Sequence, residues 1–228
     1  MKLNITKKTR GFTLVELLVV IGIIVVLAGM ATPGVMKGLK RAKLTASVAN
    51  SKQIKAALDN FAIDFDGSYV DEENGEKVSE NGMTSTTEAY GFYNALIDAR
   101  ALDRADEGIF YSKELEVAVT SHTEGDGADT LEDNETGYSY VVGLSNTSTG
   151  PAPIVCTKLD QDTGVFYDTV WDGKAVIVRV NGSAAAEVLT RSNKEFEETV
   201  RGETNTNVFD WATSNDDGDF LDNVFIAQ

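Results

Sequence analysis

The chain has very little of the chemistry from which most catalytic and metal sites are built. Its 228 residues include one cysteine, Cys156, and one histidine, His122, so it offers no internal disulfide, no Cys–His pair and no histidine-based zinc site. Cys156 ends the apolar stretch 153–156, which predicts a buried strand rather than a nucleophile. There is no phosphate-binding glycine loop, nucleophile elbow or triad histidine, so we predict that the chain is not an enzyme. A hydrolase that works through two carboxylates is the remaining catalytic alternative.

Positive charge is scarce in the larger part of the chain. Residues 57–228 carry ten Lys or Arg against 35 Asp or Glu, whereas residues 1–56 carry ten basic residues and one acid, Glu16. DNA affinity depends largely on cationic side chains that displace counterions, so a head with a net charge of about −25 is not expected to bind nucleic acid. We expect the acidic surface to keep the head soluble, and a cation-binding surface is the alternative.

Polar side chains are scarce between Phe12 and Met36, where two threonines and Glu16 alone interrupt an apolar run. A helix of this length would extend about 37 Å, which is enough to cross a bilayer. The ten residues at the start of the chain carry four basic side chains and no acid, which predicts that this end stays in the cytoplasm. A secretory signal peptide cut near residues 28–31 is the competing interpretation.

Glu16 argues against a secretory signal. A carboxylate deep in a bilayer costs on the order of 2 to 3 kcal/mol, and it needs an opposite charge close by. A free amino terminus created at Phe12 would supply that charge. The run from Gly11 to Val20, GFTLVELLVV, follows a basic leader and resembles the cleavage and methylation signature of type IV pilins and type II secretion pseudopilins. The likeness covers about residues 7–40.

The resemblance implies a processing pathway and a role for the acid. A membrane aspartyl peptidase, the prepilin peptidase, would cut between Gly11 and Phe12 and methylate the new amino terminus. Glu16 would then pair with the terminal amine of a neighbouring subunit during assembly. Pro33 matches a proline that the family places within the amino-terminal helix, and independently Pro33 and Gly34 predict a break there.

The pattern of apolar residues predicts a pilin-like α+β fold, in which a long amino-terminal helix packs on an antiparallel sheet. Ile54, Leu58, Phe61 and Phe65 recur on one helical face, which predicts the packing surface, and Asp66-Gly67 predicts the helix end. The predicted segments are a leader at 1–11, a transmembrane or filament-core helix at 12–36, an amphipathic continuation at 37–66, and a soluble acidic head at 67–228.

Within the head, residues 71–87 are polar and predict a loop. Ser85 and Glu88 resemble a capping box for a second helix that runs to about Arg100. Turns are predicted at Asp172-Gly173 and Asn181-Gly182. The predicted strands are Tyr138 to Leu144, Ile154 to Thr157, Phe166 to Trp171, Ala175 to Val180, Val188 to Thr190, Val208 to Trp211 and Asn223 to Ile226.

No cofactor is required by this reading, and calcium is the one candidate. The acidic stretch near the carboxyl terminus offers Asp217, Asp219 and Asp222 as oxygen ligands. It is not an EF-hand, because that alignment puts Thr213 and Val224 at the first and last ligand positions. Major pseudopilins, which this chain resembles, hold calcium in a carboxyl-terminal loop. A second acidic stretch, residues 124–129, predicts a solvated linker.

The functional prediction is a structural subunit of a type II secretion pseudopilus. The implied partners are copies of the chain, other pseudopilins, the prepilin peptidase, an inner-membrane assembly platform and membrane lipid. The subunit would sit in the bacterial inner membrane with a cytoplasmic amino terminus and a periplasmic head, and later in a filament. A type IV pilus subunit is the alternative within the family, although one cysteine cannot close the disulfide loop common in surface pilins. A membrane-tethered binding protein that never polymerises is the alternative from another class.

Overall fold

The computed structural model describes residues 12–79, 82–112, 131–132, 135–148, 152–158, 166, 171, 173–188 and 224–225. The helices are α1 (Leu14–Asp64), α2 (Glu72–Val78) and α3 (Ala89–Asp98), followed by a 3₁₀ helix at Arg104–Phe110. The strands are β1 (Tyr138–Val141), β2 (Pro153–Thr157), β3 (Lys174–Arg179), β4 (Ala184–Val188) and β5 (Val224–Phe225). The chain divides into two compact units, Met1–Ala42 and Lys43–Gln228. The predicted α+β class, a long amino-terminal helix followed by an antiparallel sheet, is confirmed.

The part of α1 in the second unit buries one apolar face. Ile54, Leu58 and Phe61 are at most 1% exposed, and Phe65 packs against the same core while partly exposed. The rings of Phe61 and Phe65 stack with centroids 4.3 Å apart. The spacing of four, three and four residues therefore marks the helical face that meets the core, as predicted.

Helix α1 ends at Asp64, two residues before the predicted boundary. The Gly67 N–H donates to the Ala62 carbonyl at 2.8 Å, and Asp66 and Gly67 have φ angles of 50° and 87°. This left-handed termination satisfies a carbonyl at the helix end. A Cβ on Gly67 would lie 2.7 Å from the side-chain oxygen of Asn146, an exposed side chain that can rotate away, so it is the backbone conformation that favours glycine here.

The five strands form one antiparallel sheet in the order β4-β3-β2-β1-β5. Strand β2 is buried along its whole length, and it contains Cys156. Burial raises the pKa of the Cys156 thiol, which keeps it in the unreactive protonated form. The sequence prediction of a buried structural cysteine is confirmed.

Strands β3 and β4 form a hairpin at the predicted Asn181-Gly182 turn. Gly182 has a φ of 80°, and the Asn181 side-chain oxygen accepts a hydrogen bond from the Ser183 N–H at 2.9 Å. The short turn makes β4 begin at Ala184, so the predicted strand start at Val188 is wrong. Three alanines open β4, and pairing with β3 overrides their weak strand preference.

Three buried tyrosines tie the layers of the second unit together. The Tyr93 hydroxyl donates to the Tyr138 carbonyl at 3.2 Å, and the Tyr140 hydroxyl donates to the Val70 carbonyl at 2.8 Å. The Tyr138 hydroxyl lies 2.9 Å from the Ser47 Oγ and also donates to the Ser47 carbonyl at 3.2 Å. The last pair of contacts attaches α1 to β1.

The predicted loop at 71–87 contains a helix, so that prediction is wrong for Glu72–Val78. Asp71 caps α2 by accepting from the Asn74 N–H at 2.9 Å, and the Asn74 side chain accepts from the Asp71 N–H at 2.7 Å. Asn74 also donates to the Tyr69 carbonyl at 2.8 Å. These bonds stabilise one short helix in a stretch whose composition favours a loop.

Helix α3 confirms the predicted second helix but not its capping box. Its N-cap is Glu88, which makes no side-chain cap bond, and the Ser85 hydroxyl instead accepts from the Thr87 N–H at 3.3 Å. Strand β1 ends at Val141, three residues before the predicted end. Of the predicted strand at 166–171 only its two end residues are described, both buried, and the one at 208–211 lies outside the described residues.

Candidate functional site

Most of the described part of the first unit is an apolar helix that no described residue covers. Every large apolar residue from Phe12 to Met30 is exposed, with between 46% and 79% of its accessible surface open to solvent. Successive residues point about 100° apart around a helix, so a continuous exposed run is apolar on all sides. A surface of this kind needs lipid or other helices around it.

The axis of α1 bends by 43° where the segment Leu14–Met30 meets the segment Thr32–Asp64. Pro33 lies inside the helix and has no N–H to donate to the carbonyl four residues before it. The Thr32 hydroxyl donates to the Ala28 carbonyl at 2.7 Å, a contact that also favours bending. No straight helix in the described ranges is long and apolar enough to cross a membrane, but these two bent segments together are.

The start of α1 is held by a reciprocal pair of bonds between Thr13 and Glu16. The Glu16 N–H donates to the Thr13 Oγ1 at 3.3 Å, while the Thr13 N–H and hydroxyl donate to the Glu16 Oε2 at 2.9 and 2.8 Å. The Leu17 N–H then makes the first helical bond, to the Thr13 carbonyl at 3.3 Å. Thr13 and Glu16 therefore form a capping box that satisfies N–H groups at the helix start.

The two oxygens of the Glu16 carboxylate have different surroundings. Both bonds from Thr13 end on Oε2, and Oε1 makes no hydrogen bond with any described residue. A carboxylate oxygen in this position can accept a hydrogen bond from an ammonium group. Phe12 directly precedes the cap and is 73% exposed.

The predicted site residues are distributed unevenly in the structure. Phe12 and Glu16 lie at the start of α1, one turn apart, and Pro33 and Gly34 lie just after the bend. Gly11 lies outside the described residues, as do the candidate calcium ligands Asp217, Asp219 and Asp222 and the single histidine His122. Among the residues that are described, no group of three or more His, Cys, Asp or Glu side chains could hold a metal ion.

Thr13 is the functional residue that the sequence reading missed. The pattern Thr-x-x-Glu before an apolar run is the signature of a capping box, and it is present at residues 13–16. The sequence predicts only an intersubunit partner for Glu16, the terminal amine of a neighbouring copy, whereas the structure also gives its carboxylate the N–H and the hydroxyl of Thr13 as donors.

Comparison with known proteins bears on this same segment. A family model, the prokaryotic N-terminal methylation motif, matches residues 6–32. The amino-terminal segment carries this motif. The predicted resemblance to pilins and pseudopilins is thereby confirmed for the methylation-motif segment, which contains Phe12, the capping box and the apolar helix up to the bend.

Two relatives match over about twice the length of the methylation motif. The type II secretion system core protein G of Pseudomonas aeruginosa is 40% identical over 58 residues, which are 25% of this chain and 41% of that protein. The protein of the same name from Escherichia coli is 41% identical over 59 residues, 26% of this chain and 41% of that protein. The chain thus spans about two fifths of the length of these relatives. No solved structure matches it.

Proposed function

We propose that the chain is a subunit of a type II secretion pseudopilus, which assembles from the inner membrane into a helical filament. The exposed apolar helix is the observation that carries this proposal. It is uncovered from Phe12 to Met30, and it belongs to the segment that is similar to core protein G of type II secretion systems. While the chain is in the membrane, lipid would surround this helix. In the filament, the helices of neighbouring copies would replace the lipid.

The prepilin peptidase would act first. Cleavage after Gly11 removes a leader with four cations and leaves a new amine on Phe12, which the same enzyme methylates. This amine then lies next to Thr13 and one helical turn from Glu16. The capping box supports the helix start before any partner arrives, because Thr13 already supplies two donors to the carboxylate.

Assembly would bring the Phe12 amine of one copy to the Glu16 carboxylate of the next. The Oε1 atom is the available acceptor, since Thr13 occupies Oε2. An ammonium–carboxylate pair in a low-dielectric filament core would lower the cost of burying both charges. The pair would also fix the axial position of each subunit relative to its neighbour, because apolar helices alone slide with little penalty.

A charge-removing substitution separates the two roles of Glu16. Glu16→Gln keeps an oxygen that can complete the capping box, since glutamine serves at this position, but it removes the charge. We expect Glu16→Gln to insert in the membrane and to lose filament assembly as strongly as Glu16→Ala does. The measurement is filament yield from cells that express the secretion system, with membrane fractionation in parallel.

The mass of the mature amino terminus is the control for processing. Wild type and both variants should lack residues 1–11 and carry one methyl group on Phe12, so that a loss of filaments reports on assembly alone. Normal filament yield from Glu16→Gln would refute the charge-pairing role and leave capping as the role of the residue. Uncut chains that crosslink only as monomers would favour a tethered binding protein, and long surface fibres would favour a type IV pilus.

A further inference from the structure

A group of three cations follows the apolar segment within the first unit. Lys37, Lys40 and Arg41 are all exposed, and they alternate with the exposed apolar side chains Met36 and Leu39. The two apolar side chains are 54% and 48% exposed. Cationic and apolar groups thus share one short stretch of helix surface.

The cations lie at a defined depth along the helix. Helix α1 is continuous through this stretch, so Lys37 to Arg41 occupy about 6 Å of the axis directly beyond Met36. The headgroup layer on one side of a bilayer is of similar thickness, about 5 to 8 Å. If the run from Phe12 to Met36 spans the hydrocarbon, these three side chains lie among the lipid phosphates, and their long stems can reach them.

The charge balance of the neighbouring sequence favours an anionic partner. No acid occurs between Glu16 and Asp59, so this stretch of the sequence is positive overall. The residues beyond it, 57–228, carry a net charge of about −25 and would be repelled by an anionic membrane. Removal of the leader would take away the four cations on the other side of the membrane segment.

We propose that Lys37, Lys40 and Arg41 form a binding surface for anionic phospholipid headgroups on the head side of the membrane. The proposal rests on the membrane insertion of α1 that is part of the proposed function. The surface would hold the junction between helix and head at the membrane against the repulsion of the acidic head. Each cation should raise the local preference for anionic over zwitterionic lipid by about fivefold at low salt.

The test uses the full mature chain in nanodiscs that hold one copy each. A donor dye is placed on Ala49→Cys, an exposed position on α1, and the buried Cys156 is expected to stay unlabelled. Energy transfer is measured to phosphatidylglycerol and, separately, to phosphatidylcholine, each with an acceptor on its acyl chain. We expect wild type to favour phosphatidylglycerol, and this preference should fall sharply in 1 M salt.

The decisive variant carries three substitutions together, Lys37→Gln, Lys40→Gln and Arg41→Gln. It should show nearly equal energy transfer to both lipids. The matched control is Lys52→Gln, Lys77→Gln, Lys174→Gln, which removes the same charge from the second unit and should keep the wild-type preference. An equal preference in the decisive variant and in wild type would overturn the proposal, as would an equal loss in both variants. No filament is needed, so an inserted chain without lipid preference defeats this inference alone, and a chain that does not insert defeats the proposed function.

Discussion

Replacing Tyr138 with phenylalanine tests how α1 is attached to the sheet. The Tyr138 ring is fully buried, and its hydroxyl makes two contacts with Ser47 on α1, at 2.9 and 3.2 Å. A buried hydrogen bond contributes about 1 kcal/mol net, so Tyr138→Phe should lower the free energy of unfolding by about 1 to 2 kcal/mol at pH 8. A cavity of about 170 Å³ beside the pair can admit water to Ser47, which favours the lower figure.

The same substitution has a pH signature. Burial raises the pKa of Tyr138 to about 12, although hydrogen bonds with Ser47 and Asn50 act in the opposite direction. A group whose pKa is higher in the folded state adds stability below its unfolded pKa, near 10, and this stability is lost as pH rises towards 12. At pH 11 the loss amounts to about 1.4 kcal/mol. Phenylalanine has no proton to lose, so the gap between wild type and variant should nearly close at pH 11.

The assay is urea unfolding of the full chain in mild detergent, followed by tryptophan fluorescence at pH 8 and pH 11. Other titrating groups are common to both proteins and cancel in the difference. A stability gap that stays constant between the two pH values would show that the Tyr138 phenol is not desolvated as described. A gap near zero at pH 8 would show that water replaces its contacts with Ser47.

Two further predictions concern the packing of the head. Gly91→Ala would place a Cβ against the Ser85 carbonyl and should destabilise the head by about 2 to 3 kcal/mol in thermal unfolding. The control is Gly108→Ala, whose Cβ would have no described atom within 4 Å. It should change the free energy of unfolding by less than about 1 kcal/mol. Equal effects would contradict the close approach at Gly91. Cys156 should resist a water-soluble thiol reagent in the native chain and react fully in denaturant, and rapid native labelling would show that β2 is less covered than described.

The helical spacing of apolar residues and the turn-forming dipeptides were enough to predict the main features of the second unit. Ile54, Leu58 and Phe61 are buried because helical spacing puts them on one face, and that spacing is visible in the sequence. The Asn181-Gly182 turn was predictable because few dipeptides accept its backbone conformation. Such features depend on a few neighbouring residues, and the rest of the fold does not override them.

Capping shows where local reasoning fails. Ser85 to Glu88 and Thr13 to Glu16 share the same pattern, but the structure forms the box at Thr13 only. At α3 the close approach of Gly91 to Ser85 directs the preceding loop across the helix start, and Glu88 becomes the N-cap. No residue in the described ranges lies against the exposed start of α1 in this way, and its own side chains complete the cap. Tertiary contacts decide which of two identical patterns is used.

The candidate site could be located from sequence, but its geometry could not. The junction before Phe12 and the acid at Glu16 were evident from the order of basic, apolar and acidic residues. Which oxygen of the Glu16 carboxylate accepts the hydrogen bonds from Thr13 depends on side-chain rotamers at the helix start, and no sequence pattern encodes these rotamers. Helix α2 was missed for a related reason, because Asn74 is fixed by Asp71 and by the Tyr69 carbonyl together.

In the proposed filament, the one-sided use of the Glu16 carboxylate would have a kinetic consequence. If a single oxygen had to serve both the cap and an incoming amine, the helix start would have to open before each subunit could be added. Because Thr13 engages Oε2 alone, an amine can approach Oε1 while the first turn stays closed. Subunit addition would then meet no activation barrier from unwinding, and the removal of a subunit would leave behind a helix end that is still intact.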